Sequence, residues 1–389
     1  MHYSVRPSRN LGTIDMVLLS VIASIFVFSD WIVGAFSLTE LLIFPTLLFM
    51  VIARKIHLDK ISVKWMSLPI GFVAIHTMIS YFINENFDLK VGAYGLIKFS
   101  FYIFVITVFI NYIKENHLQK SFLTINNIVA IIIGLIGIYI TIAIYSDGVL
   151  PYEFFWKFTR YDGYLFSVDT FYVRTLSIFY EPAHMGYYLN TILAINLFNK
   201  FGYKLNYFFN FLIVVFILTT FSYSAIAVMG ILLVVAFIKK VDFRNIKLDW
   251  KLLIPVVVLL IIYFIFQETI HTTIIDRTVL ILQGKEPSVN ERLKDSWKYI
   301  SESNIFLGNG IGHTPVVWHN FAYMISEFGV IGIVLFSGFS IFLTIKNVPL
   351  GLFFIAMNFS KGGYLSPAFW FLVMMILLYD TLVDRENIN

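Results

Sequence analysis

Long apolar runs separated by short polar segments set the pattern of this chain. Runs long enough, or nearly so, to cross about 30 Å of hydrocarbon recur about twelve times. They cover residues 14–33, 37–53, 65–83, 91–113, 122–145, 183–199, 205–221, 224–238, 252–267, 320–345, 348–360 and 366–380. Residues 205–238 read either as one long helix or as a hairpin. The segment FSYS at 221–224 breaks the apolar run, and Lys204 and Lys239-Lys240 at the two ends suggest a return to the same side. The last two spans are short and separated by the turn SKGGYLS. The predicted fold is an all-α polytopic membrane protein, a single integral-membrane domain over residues 1–389.

Composition agrees with that class. The chain is 59% apolar, 18% aromatic and only 13% charged, with a mean hydropathy of +0.81. Soluble domains carry about a quarter charged residues, so a water-soluble globule is excluded. No cysteine is present, which removes disulfides and thiolate metal sites. The formal charge of +4 is small and scattered, and a nucleic-acid partner is not expected. Its distribution is informative, because the short loops with Arg54, Lys55, Lys114, Lys120, Lys200, Lys204, Lys239 and Lys240 fall on one side. The short loops opposite hold only Lys90 and Lys361. By the positive-inside rule the first side is cytoplasmic, with both termini there, and the N-terminus reads as a retained cytoplasmic end.

Two long segments face the other way, residues 146–183 and 268–319, and these offer room for extramembrane chemistry. The first combines Arg160, Arg174, Tyr180 and Glu181 with further aromatics, a mixture suited to sugars, although each ring also fits an interfacial aromatic belt. Glu181-Pro182 marks a helix start, so Glu181 either caps that helix or faces a ligand. Glu181 and His184 form one Glu-x-x-His; di-iron bundles need two of these plus further glutamates, so no metal is expected. Lys98, inside the fourth span, is either buried and functional or snorkelling.

In the second segment NERLKDSWKYI (290–300) has helical spacing, with Leu293, Trp297 and Ile300 on one face. Arg277 and Arg292 carry planar guanidinium forks that match phosphate oxygens, or else meet lipid headgroups or acids. A glycine-rich turn (Gly308, Gly310, Gly312) then leads through His313 and Trp318 to His319-Asn320 at the mouth of a helix carrying Gly329 and Gly332. Such a turn is expected to fold tightly over something bound at the membrane surface. For His313 and His319, structural and catalytic roles are both open.

Arg174 followed by EPAHMG, the FSYS turn, NERLKDSW, GNGIG and His319-Asn320 with Gly329 and Gly332 downstream together resemble the O-antigen polymerase and O-antigen ligase superfamily. The Glu-Pro segment is more similar to polymerases. The Asn320-to-Gly329 spacing is one residue shorter than is usual in ligases, which rotates the helix beyond it by about 100 degrees.

The resemblance implies a GT-C-like glycosyltransferase, without a cofactor, in the bacterial inner membrane. It would polymerise undecaprenyl-pyrophosphate-linked oligosaccharides at the periplasmic face, with a chain-length regulator and a flippase as partners. On that reading His319 or Glu181 is the base, with His319 favoured, and Arg174, Arg277 and Arg292 cradle the pyrophosphate. Arg160, Tyr180, His184, His313, Trp318 and Asn320 bind substrate. The alternatives are an O-antigen ligase acting on the lipid A core and a lipid-linked-oligosaccharide flippase.

The orientation is directly testable. In a chain free of cysteine, Asp162→Cys and Lys285→Cys should react with a membrane-impermeant thiol reagent in intact spheroplasts. Labelling only after permeabilisation would reverse the assignment of sides.

Overall fold

The structure is a computed structural model and describes residues 12–146, 149–159, 173–203, 207–240, 264, 267, 271–285, 287–300 and 303–380. Among the described residues the fold is all-α, with thirteen α-helices. In chain order they are α1 (Thr13–Ile25), α2 (Leu38–Ile52), α3 (Lys60–Ile83), α4 (Leu89–Glu115), α5 (Gln119–Tyr145), α6 (Pro182–Phe198) and α7 (Tyr207–Thr219). They continue with α8 (Tyr223–Lys240), α9 (Arg277–Leu282), α10 (Pro287–Leu293), α11 (Asn320–Lys346), α12 (Val348–Ser360) and α13 (Pro367–Tyr379). A two-residue β-ribbon, Ile32–Val33 against Phe36–Ser37, follows α1.

Among the described residues four helices, α3, α4, α5 and α11, are long and apolar enough to cross a membrane, and six shorter apolar helices accompany them. Twelve full spans are therefore not observed. One reason lies in turns that hydropathy does not register. The first predicted span, 14–33, ends as a helix at Ile25, passes through a 3-10 turn at Phe26–Phe28 and enters the ribbon. Predicted span 252–267 lies outside the described residues except at positions 264 and 267. At FSYS, α7 stops at Thr219 and α8 starts at Tyr223, with Phe221 in the left-handed region at φ 44°.

Helices α6 and α13 are buried around most of their circumference and form the centre of the bundle. The long helices surround them and turn apolar side chains outward, among them Phe82, Ile97, Leu135 and Ile345. Such a surface is stable against lipid and not against water. Gly186 on α6 lets α8 approach closely, since a Cβ there would lie 2.3 Å from the Ala225 Cβ. Lys98 of α4 is not free: its Nζ lies 2.9 Å from Glu40 Oε1 of α2, and the Tyr102 hydroxyl donates to the same oxygen at 2.8 Å. The Ser37 amide donates to Glu40 Oε2 at 2.7 Å, so both carboxylate oxygens are engaged.

The connections sort into two ends. At one end Lys200 N–H donates to the Tyr379 carbonyl, Asn347 Nδ2 to the Phe198 carbonyl, and Lys55 pairs with Asp15. At the other end Thr175 N–H donates to Thr219 O, Asn84 Nδ2 to Asn309 O, and Trp31 Nε1 to Ile178 O.

The glycine turn packs against α11. Gly329 breaks α11 at φ 64°, ψ −156°. A straight helix would pair the Val330 amide with the Ser326 carbonyl. Here Val330 N–H donates to Ile305 O, while Asn309 and Gly310 N–H donate to Ser326 O and Glu327 O at 2.7 and 2.9 Å. The turn thus re-pairs the backbone groups that the kink releases. Contact is so close that a Cβ on Gly329 would lie 2.2 Å from the Phe306 carbonyl oxygen. His313 docks the same turn onto the α3–α4 loop, its Nε2 accepting Asp88 N–H at 2.8 Å and its ring stacked 4.3 Å from Phe87.

Gly329→Ala should therefore lower stability by about 1–3 kcal/mol, from backbone strain alone. Gly338, later in the same helix and with open space around it, provides the control. Gly338→Ala should be neutral or slightly stabilising. Equal thermal unfolding midpoints in detergent for the two variants would contradict this account of the kink.

Candidate functional site

The second end of the bundle carries a small cleft that opens to solvent, at the N-termini of α6 and α8, the end of α12 and the segments at Arg292 and Trp318. Its chemistry begins at the start of α6. Pro182 occupies the first helical turn and fixes Glu181 at the cap position in extended conformation. The Glu181 side chain makes no capping hydrogen bond and lines the cleft instead.

One turn further, His184 Nδ1 lies 2.7 Å from Asp30 Oδ2, which also accepts the Tyr180 amide at 3.0 Å. Asp30 is held in place by its neighbour Trp31, whose Nε1 donates to Ile178 O at 2.9 Å and whose backbone bridges Thr159. Burial disfavours the charged Asp30, but His184, Lys361 and the Tyr180 amide outweigh it and hold the carboxyl well below the usual range. An ionised carboxylate only accepts, so Nδ1 donates to it, and it is in the neutral form of the ring that Nε2 is an acceptor. Nε2 is buried and has no partner among the described residues.

The opposite wall is cationic. Lys361, just past α12, lines the cleft with Arg292, and its Nζ sits 5.2 Å from the centre of the Tyr187 ring. Burial lowers the Lys361 pKa, against the attraction of Asp30 and Glu181. Asn190 lies deeper, its Nδ2 donating to Gly186 O and Ala225 O while its Oδ1 has no partner among the described residues. Trp318 and Ser224 also line the cleft. Two unpartnered acceptors, a carboxylate, two cations and an indole suit a hydroxyl-rich ligand that also carries negative charge. Among the described residues no group of three or more His, Asp or Glu side chains converges as metal ligands would.

Of the residues singled out from the sequence, Glu181, His184, Arg292 and Trp318 come together here. Tyr180 contributes its amide to Asp30. Arg174 points its Nε at Thr220 O, 3.3 Å away, in the α7–α8 turn. His313 belongs to the contact that docks the glycine turn, and Asn320 Nδ2 donates to Asn358 Oδ1 at 2.6 Å. Arg160 and the side chain of Arg277 lie outside the described residues. The predicted helix over 290–300 is shorter: α10 ends at Leu293 and a separate 3-10 turn covers Asp295–Trp297, placing the Trp297 ring 5.0 Å from that of His319.

His319 itself is fully buried and does not line the cleft. Its Nδ1 accepts the Ala322 amide at 3.1 Å, making it the N-cap of α11, and the rings of Trp297, Phe321 and Phe359 enclose it. Asp30, Lys361, Asn190 and Ser224 are site residues that the sequence does not single out. Asp30 sits inside an apolar run that reads as one span. Lys361 does carry a signal, as one of two cations in the short loops of its side.

Burial pushes the His319 imidazole down to about 4 from 6.5. Between those values the unfolded ring binds a proton that the folded ring does not, so stability falls as pH drops through this window, by about 1.4 kcal/mol per pH unit. His319→Asn keeps a good cap without the titration. Its unfolding midpoint should lose less than the parent's between pH 6.5 and about 5; equal losses would refute the assignment.

No protein-family model, no curated protein and no solved structure matches this chain.

Proposed function

We propose that this chain is a metal-independent integral-membrane glycosyltransferase that polymerises undecaprenyl-pyrophosphate-linked oligosaccharides, at the membrane face away from the cytoplasm, into O-antigen or a related surface polysaccharide. The observation that carries this reading is the meeting of Arg292 and Lys361 with Glu181, His184 and Trp318 in one cleft. Glycosyl transfer from a lipid pyrophosphate needs a cationic seat for the departing anion, partners for sugar hydroxyls, and an indole face for a sugar ring. Arg292 and Lys361 supply the first, stabilising charge as it develops on the leaving oxygen. Glu181 and Asn190 supply the second and Trp318 the third. The motif resemblance to the O-antigen polymerase and ligase superfamily is independent support.

The guanidinium of Arg292 provides a bidentate fork that an ammonium lacks. Arg292→Lys should therefore lower polymer formation about tenfold to a hundredfold, the loss of one charge-assisted bond of about 1.5–3 kcal/mol. The function as a whole is read from the surface polysaccharide of a deletion strain run as a ladder on a gel. Loss of the ladder with a single capped repeat retained is the expected result. Loss of every repeat would mean a ligase or flippase, and an unchanged ladder would rule out all three.

A further inference from the structure

We infer that His184 is the general base of the transfer, acting through Nε2, and that Asp30 is its positioning residue. The assignment rests on the glycosyltransferase reading above. It stands on geometry. Nδ1 faces the Asp30 carboxylate at 2.7 Å, which leaves the lone pair on Nε2. Among the described residues that nitrogen is buried without a partner, and its residue lines the cleft. A buried acceptor with no partner is costly, and an acceptor hydroxyl seated in the cleft would satisfy it.

Asp30 is placed for this task by two separate elements. It follows the 3-10 turn after α1, and its Oδ2 is shared between His184 and the amide of Tyr180 from the segment leading into α6. The Trp31 and Trp156 indoles fix that segment by donating to Ile178 O and Ser177 O, at 2.9 and 2.8 Å. Among the described residues the charged and titratable groups around the ring are Asp30, Glu181 at the α6 cap, Lys361 past α12, Arg292 in the last turn of α10, Tyr180 with its ring 6.1 Å away, and Tyr187 one turn on. The two carboxylates favour an imidazolium once the proton arrives, and the two cations are the groups that can hold the departing anion.

His319 does not offer the same chemistry. Its Nδ1 already accepts a backbone amide, so the neutral ring carries its proton on Nε2 and presents a donor.

In the step, the acceptor sugar O–H gives its proton to His184 Nε2 and the oxygen forms a bond to the anomeric carbon of the donor glycan. The bond from that carbon to the pyrophosphate oxygen breaks, and its electron pair leaves on the undecaprenyl pyrophosphate. The imidazolium then returns its proton to solvent. Bonds, charge and protons balance without a further reactant.

The test uses the purified full-length protein in nanodiscs, with undecaprenyl-pyrophosphate-linked repeat unit as donor and acceptor. His184→Gln should lower kcat by about a hundredfold to ten-thousandfold, with binding of the lipid-linked repeat unchanged within about threefold. Asp30→Asn should lower kcat and also shift the acidic limb of its pH profile to lower pH, because the carboxylate no longer favours the imidazolium. A merely structural role would not move that limb. Imidazole added to His184→Gly should restore part of the rate.

A parent enzyme that polymerises, together with a His184→Gln variant of comparable rate or an Asp30→Asn variant with an unmoved limb, overturns the base assignment alone. A folded parent that lengthens no glycan and releases no undecaprenyl pyrophosphate overturns the glycosyltransferase reading, and the base assignment with it.

Discussion

Inside a membrane there is no water to take up a released backbone group, so a broken helix stands only if protein re-pairs it. The kink at Gly329 is such a break, and the amides of Asn309 and Gly310 together with the Ile305 carbonyl are its repair. Much of the site end depends on this clasp. It sets the path of residues 305–319, and with it the place of Trp318 in the cleft and of His319 on the α11 terminus. The glycines are needed because two backbones meet there with no room for a Cβ between them.

Around that frame the cleft is assembled from segments far apart in the chain. Asp30 comes from the loop after the first helix, Glu181 and His184 from the start of α6, Ser224 from α8, Arg292 from the end of α10 and Lys361 from the last inter-helix turn. Charges of both signs share a half-buried space, and each moderates the desolvation of the other. Tryptophan indoles that donate to backbone carbonyls hold the loops in register, so the Asp30–His184 contact does not rest on the two side chains alone.

How far the sequence can be read depends on the range of the interactions. Helices come from local hydropathy, and the break at FSYS and the Glu181-Pro182 helix start are legible as local signals. Asp30 is not, because a single carboxylate inside an apolar run is absorbed into a predicted span, and its meaning comes from a residue more than a hundred positions away. The glycine turn reads as a wrapper for a ligand because glycine announces close approach without saying to what. Its partner is the backbone of the following helix. The role of His319 likewise turns on which ring nitrogen is engaged, a matter of geometry that spacing does not encode.

The contact of Glu40 with Lys98 and Tyr102 bears on biogenesis. The α2 segment is short, and it carries a carboxylate whose cation and phenol partners are made later, on α4. A charged group left alone in hydrocarbon costs several kcal/mol. Until α4 has entered the bilayer, α2 is a poor transmembrane segment by itself, and its seating is completed by a helix synthesised after it. The order in which the ribosome delivers the helices is thus not the order in which they become stable, and α2 waits for α4.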